Sequence, residues 1–227
     1  IEIDTNQFFE VEDFVKSYDA NGINAPINCD FLHRESEFTE TCTSIINNKV
    51  TILTGASGIG KTRLALEVCR QQDNGKTKVF CVKSNGNFLY EDIKYYISDS
   101  GKYLIFFDDV NMVVSLDNVL DTILTLPTDF DVKLLFSVRD YAKERVIDAV
   151  SRYVLPNIIE IGRFKDDEIK DILKSDLEIV NPDYLKKIAE IANGNIRLAF
   201  LAGMRSINDG YQAIRNAEDI KNYYGRI

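Results

Sequence analysis

Thr51-Ile-Leu-Thr-Gly55-Ala-Ser-Gly58-Ile-Gly60-Lys61-Thr62-Arg63-Leu-Ala-Leu-Glu67 is the stretch on which the reading of this chain turns. An apolar β-type run, Lys49 to Thr54, enters a glycine-rich turn, and a helix-favouring run leaves it. Positions 55–62 read G-x-x-x-x-G-K-T, the phosphate-binding P-loop pattern. The glycines let backbone N–H groups curl into an anion-sized nest, and a helix starting near Gly60 adds its positive end. The candidate nucleotide-binding segment is therefore Gly55, Ala56, Ser57, Gly58, Ile59, Gly60, Lys61, Thr62 and Arg63. Lys61 supplies a mobile cation for β- and γ-phosphates, and the Thr62 hydroxyl is placed to ligate Mg²⁺. With Gly at about 7% of residues, the four fixed positions co-occur by chance in roughly one chain in a hundred of this length. The strand before and helix after lower that further.

Downstream, two more apolar runs stop at polar residues. Gly101 introduces Lys102-Tyr-Leu-Ile-Phe-Phe-Asp108-Asp109-Val110, in which an apolar run ends in two carboxylates. That fits a strand buried on both faces whose end meets a charged ligand, because unpaired buried carboxylates are costly. Val132-Lys-Leu-Leu-Phe-Ser137-Val138-Arg139-Asp140 repeats the pattern. Lys78–Lys83 and Tyr153–Ile161 read as further strands, with helices over about 60–72, 88–98, 116–126 and 141–150 between them. Alternating β and α segments predict an α/β fold, a parallel sheet flanked by helices with ligands at the carboxyl ends of the strands. The P-loop, Asp108-Asp109 and Ser137–Arg139 then meet at one edge.

Outside this core, residues 1–30 are mixed, with Phe8 and Phe14 as anchors and Asn21–Asn28 as a turn-rich connector. The segment reads as packing on the sheet, with partial cover of a nucleotide base as the functional alternative. Phe31 opens a helix running to Asn47. From Arg163 the strands stop. Helices are expected over 166–173, 183–192 and 196–203, and a fourth near 208–222, so 31–162 reads as the nucleotide-binding domain and 163–227 as a small helical subdomain.

Composition fits a soluble globular protein, with 227 residues, 45% hydrophobic and 28% charged. Nothing approaches the roughly 18–20 apolar residues of a membrane span, and no signal peptide is evident. The chain starts at Ile1 and is expected to be a fragment of a longer protein. Net charge is −9, which argues against a duplex-binding surface for the chain as a whole. Cys29, Cys42, Cys69 and Cys81 form no C-x-x-C pair, and His33 is the one histidine, so scattered thiols in a reducing cytoplasm are expected rather than a metal site.

Phe31-Leu-His-Arg34-Glu35, GASGIGKT, FFDDVN, LLFSVRD and ANGNIRLA, in that order over about 31–205, resemble the STAND class of AAA+-related ATPases, which includes NACHT and NB-ARC proteins. The resemblance implies a cytoplasmic, Mg²⁺-dependent ATP/ADP switch that opens and homo-oligomerises when a sensor region detects a signal. It implies sensor and effector regions outside this chain, and for bacterial members often anti-phage defence. It places Phe31 and Leu32 in an adenine pocket beside Arg34, Asp108 on the Mg²⁺ shell, Asp109 on the attacking water and Arg139 on the γ-phosphate. The class usually has Gly-x-Pro in its helical part, whereas Gly194-Asn195-Ile196 lacks the proline. Arg197 resembles instead a second sensor arginine of AAA+ loaders, and Arg152 their trans-acting arginine. An AAA+ loader or motor acting on DNA or protein is the alternative.

Overall fold

Strands apolar at every position, rather than at every second one, need cover on both faces. The computed structural model describes residues 7–19, 26–210, 216–218 and 220, and places such strands at the centre. The strands are β1 (Phe8–Phe9), β2 (Val50–Gly55), β3 (Thr77–Lys83), β4 (Gly101–Asp108), β5 (Phe130–Arg139) and β6 (Asn157–Glu160). Across the sheet they run β1-β3-β4-β5-β2-β6. All neighbours are parallel except β1, which pairs antiparallel with β3.

The helices are α1 (Val11–Asp19), α2 (Glu35–Asn47), α3 (Lys61–Gln72), α4 (Tyr90–Tyr96), α5 (Leu116–Leu124), α6 (Lys143–Ser151), α7 (Asp166–Leu177), α8 (Pro182–Ala192) and α9 (Ile196–Asp209). Successive residues of β4 serve opposite faces, as a strand period of two requires. Ile105 and Phe107 join one buried cluster with residues of α4, α5 and α6, while Leu104 and Phe106 join another with α1, α2 and α3. A third cluster, centred on Ile169, Leu173, Ile188 and Leu201, belongs to α7, α8 and α9.

The β2–β5 register pairs Gly55 with Arg139, and the β3–β4 register pairs Lys83 with Asp108. The P-loop and the polar ends of β4 and β5 therefore share one edge, as the strand pattern implied.

The elements differ from the sequence reading in several places, three of which have a local cause. β1 was not expected: a two-residue strand has no periodicity to read. The strand expected over 153–161 begins only at Asn157, because the amides of Tyr153 and Val154 still bond the Val150 carbonyl and Pro156 offers none. The helix expected from Phe31 begins at Glu35; His33 has φ 60°, which breaks helical continuity. Residues 21–25 of the connector and most of the expected fourth C-terminal helix lie outside the described residues, although Ala217, Glu218 and Ile220 are helical. All four cysteines are free. No helix among the described residues is long and apolar enough to cross a membrane.

Candidate functional site

Gly55 ends β2 with φ +144°, and a Cβ there would lie 2.5 Å from Ile59 Cδ1 and 2.6 Å from the Ile161 carbonyl oxygen. Only glycine lets the chain turn that sharply against the end of β6. The loop that follows delivers Lys61 to the first turn of α3. Lys61 is 6% exposed, and its Nζ donates to the carbonyls of Gly55 (2.7 Å) and Ala56 (2.8 Å). Burial pulls its pKa below the ordinary lysine value, while Asp109 and Asp140 oppose the shift.

Beside it, Thr62 Oγ1 donates to Asp108 Oδ1 at 2.8 Å, and Ser137 Oγ donates to the same oxygen at 2.9 Å. Ser137 Oγ also accepts the Asp109 amide at 2.8 Å, tying the ends of β4 and β5 together. Burial pushes the Asp108 carboxyl above the usual carboxylate range, and neighbouring Asp109 adds to the rise. Asp109 itself is in the left-handed region (φ 46°), and its side chain meets Arg139. Arg139 grips its Oδ2 with Nη2 at 2.7 Å and Nε at 3.1 Å, which holds the guanidinium pKa up.

One cleft gathers Lys61, Thr62, Asp108, Asp109, Arg139 and Arg197 with Ser57, Gly58 and Gly60 of the P-loop. Phe31, Leu32, Arg34 and Arg63 line it as well. Gly55, Ala56 and Ile59 are not among its lining residues: the first two offer carbonyls to Lys61, and Ile59 is 1% exposed in the core. Two arginines are committed to the walls. Arg34 lies 3.9 Å from the Phe164 ring centroid and donates to the carbonyls of Gly162 (2.7 Å) and Ile59 (3.2 Å). Arg63 donates to the Cys29 carbonyl through Nη2 (2.9 Å) and Nε (3.2 Å) and pairs with Glu67. Arg152 is elsewhere, exposed and paired with Asp117 at 2.9 Å.

The sequence reading missed Tyr18 of α1, which lines the same cleft. Burial lifts its phenol to about 12, with Asp108 the next cause. Pro26 and Ile27 of the connector, and Cys29 just after it, line the cleft as well. Phe164, Ile172, Ile196 and Phe200 close it with apolar surface from the helical part. Only the docking of α1 and of the helical bundle reveals Tyr18, Phe164, Ile172, Ile196 and Phe200; their local sequence carries no signal.

A hydroxyl and a carboxylate side by side suit Mg²⁺, which keeps several waters and takes one or two protein oxygens plus phosphate. Thr62 and Asp108 would hold it, and the cation would neutralise charge on bound phosphates. Among the described residues no group of three or more His, Cys, Asp or Glu forms an all-protein cage. Asp108→Asn is accordingly expected to lose Mg²⁺-dependent nucleotide binding yet raise the Tm of the nucleotide-free protein by a few degrees, at about 2–4 °C per kcal/mol. It removes a half-buried, destabilised charge while keeping an acceptor for Thr62 and Ser137. Calorimetry with and without Mg²⁺ checks this, and an unchanged metal requirement would contradict it.

The chain matches the family model "Novel STAND NTPase 3" over residues 32–179. No curated protein matches it. Solved structures share the fold at low identity. Orc1 of Aeropyrum pernix, in complex with DNA, is 17% identical with a TM-score of 0.65, over 97% of this chain and 70% of that one. The RuvB Holliday junction branch migration motor of Thermotoga maritima is 16% identical with a TM-score of 0.57, over 83% of this chain and 67% of that one. Hsp104 of S. cerevisiae, in its ADP complex, is 15% identical with a TM-score of 0.67, over 91% of this chain but 34% of that one.

Proposed function

Because the chain belongs to the novel STAND NTPase 3 family, its model matching residues 32–179, we propose that it is the ATP-binding and hydrolysing module of a signal-transducing switch. The observation that carries this is the meeting of Lys61 and Thr62 with Asp108, Asp109 and Arg139 in one cleft. Phosphoryl transfer asks for charge neutralisation and a positioned water more than for covalent chemistry, and this set offers both.

In this reading the backbone of Ser57–Thr62 and the Lys61 ammonium hold the β- and γ-phosphates. Thr62 and Asp108 hold Mg²⁺, and Asp109 polarises the attacking water. Arg139 leaves Asp109 for the γ-phosphate when triphosphate enters. The ion pair between the two is the resting arrangement, in which neither group is free for catalysis. Phe31, Leu32, Ile196 and Phe200 offer apolar surface to a base, and Arg34 braces that wall. Residues 31–162 act as the nucleotide-binding domain, 1–30 as its N-terminal cover and 163–227 as the lid. Sensor and effector regions outside this chain, nucleotide-dependent homo-oligomerisation, a cytoplasmic setting and a role in anti-phage defence follow from the resemblance.

A second reading, a loader or motor acting on DNA or protein, is favoured by one observation: Arg197 lines the cleft, where a second sensor arginine would stand. Denaturing the purified protein and identifying released nucleotide by chromatography separates the two. Bound ADP is the expected result, since a switch parked at rest exchanges slowly. A site that is empty and exchanges ATP rapidly supports the loader, and bound GDP overturns the choice of adenine.

A further inference from the structure

We infer that Asn195 is a positioning residue that clasps the helical bundle to the P-loop and thereby sets how long the site retains nucleotide; the inference rests on the nucleotide-binding reading above. Asn195 precedes α9, and its side chain makes two bonds in opposite directions. Oδ1 accepts the Leu198 amide at 3.0 Å as the N-cap of α9, and Nδ2 donates to the Ser57 carbonyl at 3.0 Å. Two residues on, the Arg197 amide donates to the Gly58 carbonyl at 3.1 Å. Consecutive carbonyls at the tip of the P-loop are thus held by the first turn of one helix.

The peptide plane makes this consequential. In a trans peptide the C=O and the following N–H point in opposite directions. Fixing the Ser57 and Gly58 carbonyls toward α9 therefore turns the Gly58 and Ile59 amides to the other side, toward the nest where phosphate binds. A nest held in its binding shape before the anion arrives wastes little binding energy on ordering. The fit is close: a Cβ on Gly58, whose φ is +78°, would lie 2.3 Å from Asn195 Oδ1. Backbone approaches the bundle here at a distance only glycine permits.

The clasp also runs the other way. If α9 swings out, both carbonyls lose their donors and the nest loses its bracing; if phosphate occupies the nest, the bundle is held in. Such coupling is reciprocal by linkage. The departure from Gly-x-Pro noted in the sequence leaves Gly194-Asn195-Ile196, and the residue between its glycine and isoleucine makes the contact.

Cap and clasp can be separated. Asn195→Ser keeps a neutral N-cap of similar strength but is too short to reach Ser57. Asn195→Ala loses both. In the 227-residue chain, both variants should release a fluorescent ADP analogue faster than the parent, by on the order of three- to tenfold, as loss of one hydrogen bond allows. Only Asn195→Ala should also show the lower Tm of an uncapped helix. Amide exchange on the nucleotide-free protein should speed up at Gly58, Ile59 and Arg197 in Asn195→Ser. ADP release and exchange at parental values in Asn195→Ser, with only Asn195→Ala altered, would reduce Asn195 to a helix cap and overturn the inference. A parent that binds no nucleotide would instead overturn the reading of the site, and the retention claim with it. Faster exchange in Asn195→Ser with unchanged ADP release would keep the clasp but remove its control of retention, which also overturns the inference as stated.

Discussion

Lys61→Ala is expected to weaken ATP and ADP binding by at least about a hundredfold while the protein stays folded. Each charge-assisted hydrogen bond contributes about 1.5–3 kcal/mol, and each 1.4 kcal/mol is roughly a factor of ten, so two such bonds to phosphate account for a loss of that size. The nucleotide-free fold should hardly notice. Lys61 Nζ is bonded to the Gly55 and Ala56 carbonyls, and losing it leaves those two acceptors unpaired. Against that cost, the same burial that pulls its pKa down makes the ammonium expensive to keep where it is. Titration calorimetry together with a melting curve tests both halves. ATP affinity equal to the parent's would remove the P-loop from the binding role.

Asp109→Asn is expected to slow turnover by roughly 10²–10⁴, the range a positioned general base supplies, and to change nucleotide affinity by less than about threefold. Asparagine is the informative replacement because it also tolerates the left-handed backbone that Asp109 adopts at φ 46°. Alanine there would confuse a lost carboxylate with a strained turn. The substitution also weakens the grip on Arg139, whose Nη2 lies 2.7 Å from Asp109 Oδ2. The released guanidinium is then freer to meet a γ-phosphate, so ATP affinity should hold or rise slightly while hydrolysis falls. Single-turnover hydrolysis set beside equilibrium binding makes the measurement. Unaltered turnover would show that the water is polarised by another group.

How much of this was readable in the sequence depends on how local the cause is. The P-loop was readable because strand, turn and helix are contiguous, and the glycines declare the backbone. The meeting of Asp108, Asp109 and Arg139 was readable one step removed, since parallel strands must bring their carboxyl ends to one side. Side-chain partners across the fold were not. Nothing near Arg34 says that it stacks on Phe164, 130 positions away. Nothing near Tyr18 says that α1 docks so that Tyr18 and Asp108 line one cleft. Asn193-Gly194-Asn195 was legible as a helix stop and restart, and Asn195 does cap α9. Its second bond, to Ser57, appears only when the bundle is in place.

β6 bears on how this protein behaves in a crowded solution. An open sheet edge presents unpaired N–H and C=O groups to any other extended chain, and long flat edges template aggregation. β6 forms one boundary of the sheet, yet it has only four residues, Asn157–Glu160. Pro156, just before it, has no N–H to offer, and Glu160 at its far end is exposed and carries charge. A short boundary strand bracketed by an imino acid and a carboxylate makes a poor template for an incoming strand. Copies of the chain brought close together at this edge are thereby kept from knitting into a continuous sheet.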